Sequence, residues 1–154
     1  MGKSHIRTIL SWSAVLIWMG VIFFLSHQPG SQSSDLSSGI TDVIVHTLQH
    51  IVPFLPMEDV FFHHFIRKSA HFTAYCILGI LVIHALSEPN WRRYMTAFLI
   101  AVVYAMTDEF HQLFIPGRSG ELRDVAIDSV GAATGIGIYM LSMFIISRFR
   151  KGKE

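Results

Sequence analysis

Lys68, His71 and Tyr75 stand at i, i+3 and i+7, a spacing that puts an ammonium, an imidazole and a phenol on one face of a helix. Asp108 and Gln112 form an i, i+4 pair with Glu109 beside them, and Asp124 and Asp128 form a second i, i+4 pair. Arg118 and Arg123 lie between the two acidic groups. Three kinds of chemistry fit these types. Lys68, Arg118 and Arg123 can hold a phosphate through charge-assisted hydrogen bonds. His71 or Glu109 can act as a general base, with Asp108 orienting it. The acids and cations can also fix helix register as ion pairs, with Lys68 and Arg118 as the expected counter-ions of Asp108, Glu109 and Asp128. Four acids, a lysine, an arginine, a histidine and a glutamine exceed what register alone requires, which favours a functional site.

The elements that must position these groups follow from composition. The chain has 154 residues, of which 51% are hydrophobic and only 15% charged, and its mean hydropathy is +0.46. That balance suits a bilayer better than water. A hydrocarbon core of about 30 Å takes roughly 20 helical residues, and four stretches qualify as spans, at about 9–26, 69–86, 95–115 and 125–146. The second carries His71 and His84. The third is apolar only as far as Met106 before it meets Asp108, Glu109, His111 and Gln112. With a helix running to Ile115, Asp108 is expected about 10 Å inside the end of the third span. Charges at that depth are costly unless they pair or line a wet cavity, so the groups on the three spans are expected to face one another.

Loop charges set the orientation. With the amino terminus inside, Lys3, Arg7, Arg92, Arg93, Arg148, Arg150, Lys151 and Lys153 are cytoplasmic, and Arg67, Lys68, Arg118 and Arg123 are outside. Both termini are therefore expected in the cytoplasm, with the polar residues at the extracytoplasmic end. The first apolar run also resembles a secretory signal, but no small-x-small cleavage site follows it, so it is read as a retained helix. Between the first two spans, Leu36, Ile40, Val43, Ile44, Leu48 and Ile51 recur at helical spacing, which predicts an amphipathic helix over about 34–52, ended by Pro53 and Pro56. The expected fold is all-α: one domain over 1–154, an integral membrane four-helix bundle with an extra amphipathic helix in the first extracytoplasmic loop.

Other signals are weaker. Asp124, Asp128, Gly131 and Gly135 share one stripe of the fourth span, a small-xxx-small surface expected to pack on a neighbouring span, with a homo-oligomer seam as the alternative. His71, His111, Asp108, Glu109, Asp124 and Asp128 include metal-ligating types, but no spacing such as His-Glu-x-x-His occurs, so no metal or cofactor is expected. Cys76 reads as a packing residue. A net charge of +1 without a basic stripe excludes a nucleic-acid partner.

Four blocks of sequence resemble the VanZ-like family of small membrane proteins, named after a member linked to teicoplanin resistance. They are Ser26-His27-Gln28-Pro29-Gly30, Arg67 to Tyr75, Thr107 to Arg118, and Asp124 to Gly131. Together they run from about Ser26 to Gly137. One position departs from the pattern: His27 stands where a small polar residue is expected. Asp128 falls where the family takes Asn or Asp, which implies a replaceable acid. The resemblance implies a role in the bacterial cell envelope, with reduced glycopeptide sensitivity in some members, and a polar site built from Lys68, His71, Asp108, Glu109, Gln112, Arg118, Asp124 and Asp128. It implies no reaction.

Three functions remain in play. The favoured one is an outer-leaflet site, including Tyr75, that binds or modifies an anionic lipid or a lipid-linked envelope precursor. The second is a hydrolase or transferase using His71, Asp108 or Glu109, weakened by the lack of an evident nucleophile. The third is a small proton-coupled transporter, for which four helices leave a monomer little room.

Overall fold

A computed structural model of the chain describes residues 3–31, 39, 59–86 and 90–151. Among them are four helices, α1 (Lys3–Ser26), α2 (Asp59–Ala85), α3 (Trp91–Gln112) and α4 (Leu122–Lys151). The amphipathic helix expected over 34–52 lies outside the described residues.

Three of these helices are long and apolar enough to cross a membrane: Ser4–Ser26, Phe65–Ala85 and Leu122–Arg150. α3 is not among them: it opens on Arg92 and Arg93 and closes on Asp108, Glu109, His111 and Gln112. Large apolar side chains such as Leu16, Ile17, Phe24, Leu99 and Leu141 are exposed on the outer surfaces of α1, α3 and α4. In water that surface would be costly; against lipid tails it is the expected one. The chain is an integral membrane protein.

α2 touches the other three helices, and its seam with α4 is the most extensive; α1 packs on α2 and α3. Small residues allow the close approaches. A side-chain carbon at Gly131 would strike the Phe72 backbone, one at Gly135 the Cys76 backbone, and one at Gly79 the Ala132 backbone. The glycine stripe of α4 is thus a seam with the neighbouring helix α2. On α3, Ala97, Ala101 and Ala105 are fully buried at i, i+4 spacing. Single hydrogen bonds tie the helices laterally: Trp18 Nε1 donates to the Ala74 carbonyl at 2.9 Å and Tyr104 Oη to the Met19 carbonyl at 2.5 Å. At the other end of the helices, Arg93 donates to the Ile83 carbonyl at 2.6 Å and to Tyr139 Oη at 3.0 Å, capping the last turn of α2.

α3 stops at Gln112, short of the expected Ile115. Leu113, Phe114 and Ile115 donate back to Phe110, His111 and Gln112 in tight turns, because Pro116 disfavours helix at the residue before it. Gly117 then takes φ 74°, a left-handed conformation that suits glycine. Asp108 therefore sits nearer the helix end than expected, four residues before Gln112.

Candidate functional site

The end of α1, the first turns of the membrane-crossing part of α2, the end of α3 and the start of α4 meet at the pole away from both termini. Lys68, His71 and Tyr75 all face inward there. Lys68 Nζ forms an ion pair with Asp124 Oδ1, in the first turn of α4. One turn deeper on both helices, His71 Nδ1 lies 3.6 Å from Asp128 Oδ2. Deeper still, Tyr75 is fully buried, its ring 6.2 Å from that of Tyr104 on α3. The i, i+3, i+7 face of α2 thus reads onto the i, i+4 face of α4 in register.

α3 supplies the third wall. Asp108 accepts from Ser26 Oγ at 2.8 Å and from Gln112 Nε2 at 3.4 Å. Glu109 accepts from Gln112 Nε2 at 3.2 Å and from the backbone N–H of Glu121 at 2.9 Å. The latter bond fastens the α3–α4 loop over the site. His71, Asp108, Glu109 and Asp128 come together so that one ligand-type atom from each lies within 4.8 Å of the others.

Two expectations about charge pairing change. Lys68 neutralises Asp124, not Asp108, Glu109 or Asp128. The Arg118 guanidinium turns toward backbone instead of an acid: its Nε donates to the Gln28 carbonyl at 2.9 Å and an Nη to the Leu25 carbonyl at 3.0 Å. It satisfies carbonyls that the end of α1 leaves bare. Burial holds the Arg118 pKa below its ordinary value, and the nearby Arg67 lowers it further, while Asp108 and Glu109 pull it back.

A cavity of about 620 Å³ opens between α2, α4 and the α3–α4 loop, lined in part by Arg67, Lys68, His71, Arg123, Asp124 and Asp128. That is large enough for a small ligand or headgroup. Basic groups of α2 and α4 and the acids Glu121 and Asp124 share its wall, and His71 and Asp128 join it to the acidic cluster.

Three features were missed in the sequence. Ser26 is buried against Asp108; its signal was its place at the head of the first block. His27 Nδ1 and His111 Nε2 lie 3.1 Å apart with their rings stacked at 5.3 Å, so His111 belongs with α1 and not with the acids. Gly30 and Gly117 touch backbone to backbone, with Gly30 N–H donating to the Pro116 carbonyl at 3.0 Å; this contact explains why the first and third blocks each end around a Pro-Gly.

A family model described as VanZ/LLP1 matches residues 11–145. No curated protein and no solved structure matches the chain.

Proposed function

Because the chain belongs to the VanZ-like family, a family of cell-envelope membrane proteins, we propose that it binds the phosphate-bearing headgroup of an envelope lipid or lipid-linked precursor in the cavity between α2 and α4. In this reading all four helices cross the bacterial cell membrane as a bundle, both termini are cytoplasmic, the segment over 34–52 lies as an amphipathic helix on the outer surface, and the cavity opens at the outer leaflet. The supporting observation is the cavity lining, in which Arg67, Lys68 and Arg123 stand together at the pole away from the termini. Arginine forks and a lysine ammonium are the donors that phosphate recognition calls for. Arg118 supports the site indirectly, by holding the α1 end against the loop that carries the cavity wall.

The test is binding of anionic-lipid vesicles to purified protein. Lys68→Ala and Arg123→Ala are each expected to weaken it by about tenfold, the loss of one charge-assisted hydrogen bond. Unchanged binding in both variants would sink the reading. In cells, overexpression is expected to lower teicoplanin sensitivity, and Lys68→Ala to abolish that effect.

One observation favours a second reading, chemistry on the bound lipid. His71 reaches the cavity while its Nδ1 faces Asp128, the arrangement of a base and its orienting carboxylate. A lipid product that appears on overexpression and disappears in His71→Ala and Glu109→Gln would establish it.

A further inference from the structure

We propose that His71, Asp108, Glu109 and Asp128 form a binding site for one divalent first-row transition-metal ion enclosed by α2, α3 and α4. The first ground is geometry. The four side chains each offer one ligand atom, and all four atoms lie within 4.8 Å of one another. Two ligands on opposite sides of one ion at about 2.1 Å are about 4.2 Å apart, so the set is nearly closed to coordination distance already.

The second ground is unmet polarity. Asp128, Asp108 and Glu109 are 0%, 3% and 4% exposed. Both Asp128 oxygens and Asp108 Oδ1 have no hydrogen-bond partner among the described residues. Three carboxylates at membrane depth need positive charge. Lys68 is paired with Asp124, and Arg118 donates Nε and one Nη to the carbonyls of Gln28 and Leu25, its other Nη forming no ion pair with these acids among the described residues.

The third ground is the surrounding shell. Ser26, Gln112 and the Glu121 N–H hold Asp108 and Glu109 from outside, as outer partners orient ligating carboxylates. One imidazole with three carboxylates suits Mn²⁺, Fe²⁺ or Zn²⁺ better than the all-oxygen preference of Ca²⁺ or Mg²⁺. His71 and Asp128 also line the cavity, which gives the ion an entry path. The sequence expectation of no metal rested on the lack of a short motif; here the ligands come from three separate helices. The proposal stands apart from the lipid reading, since it concerns the metal alone.

The experiment is metal analysis of the full chain purified in detergent, then chelator stripping and readdition of Mn²⁺ or Zn²⁺ alone while melting is followed. A stoichiometric ion and a rise in Tm on readdition are expected. Asp128→Asn should abolish both, and Ser26→Ala should weaken metal affinity by about 10- to 100-fold. Asp128→Asn keeps the side-chain shape and removes one buried charge, so the stripped variant is expected to melt no lower than the stripped wild type; misfolding then cannot account for its loss of metal. A wild-type chain that carries no stoichiometric ion and shows no Tm response to Mn²⁺ or Zn²⁺ overturns the proposal and assigns the neutralising charge to protons.

Discussion

Ser26 Oγ donates to Asp108 Oδ2 at 2.8 Å, joining the last residue of α1 to a carboxylate on α3 across 82 residues of sequence. Both side chains are buried, and apart from Ser26 the bond that Oδ2 accepts is a longer one from Gln112. Ser26 therefore positions Asp108 and also fixes the end of α1 against α3, whose direct contact is otherwise slight. Ser26→Ala leaves a buried carboxylate oxygen under-bonded and should cost about 1–3 kcal/mol in a detergent unfolding titration. The double variant with Asp108→Asn should cost less than the sum of the two single variants; strict additivity would deny the coupling.

Lys68 and Asp124 form a half-buried pair, 29% and 23% exposed. Such a pair lies between exposed bridges of about 0–1 kcal/mol and buried ones whose breaking costs about 3–5 kcal/mol. Lys68→Ala should therefore destabilise by about 1–3 kcal/mol, and Asp124→Asn introduced with it should recover part of the loss by removing the stranded charge. If Lys68→Ala melts with the wild type in detergent, the pair has no structural role and Lys68 is held for its ligand alone.

That the polar faces of the three helices turn toward one another was legible, because each spacing, i, i+3, i+7 or i, i+4, gathers its groups on one face and charges at membrane depth need partners. The glycine stripe was legible as a packing surface because small residues at i, i+4 permit close approach, but which helix it meets was not. The pairing of charges was not legible. Which acid Lys68 reaches depends on the vertical offset of α2 against α4, and Arg118 was drawn to backbone carbonyls that no side-chain pattern advertises. The early end of α3 follows from Pro116 and Gly117, where apolar residues up to Ile115 made the run look longer than the backbone could continue. The convergence of His71, Asp108, Glu109 and Asp128 to within 4.8 Å needs three helices at once, which spacing along any one of them cannot express.

Gly135 and Gly137 give opposite expectations two residues apart. A side-chain carbon at Gly135 would run into the Cys76 backbone, whereas at Gly137 it meets nothing within 4 Å. Backbone cannot move aside as a flexible side chain can, so Gly135→Ala should separate α2 from α4 and cost about 1–3 kcal/mol. Gly137→Ala removes a helix-weakening glycine and should stabilise by up to about 1 kcal/mol. Thermal melts of the two variants in one detergent compare them directly, and equal effects would contradict the α2–α4 seam.

The proposed opening of the cavity at the outer leaflet rests on the loop charges. Counting the basic residues near each end of the helices leaves twice as many on the termini side as on the side of Arg67, Lys68, Arg118 and Arg123, and the richer side is the one expected in the cytoplasm. Ser119 is exposed in the α3–α4 loop and lines the cavity, so a single cysteine there reports the cavity mouth. In a Cys76→Ser background, Ser119→Cys should react with a membrane-impermeant maleimide added to intact cells, while Ser4→Cys, exposed at the start of α1, should react only after the membrane is opened. The reverse pattern would put the cavity at the inner leaflet. Its ligand would then have to be sought among cytoplasmic-face lipids, and a direct effect on glycopeptides acting outside the cell would be lost.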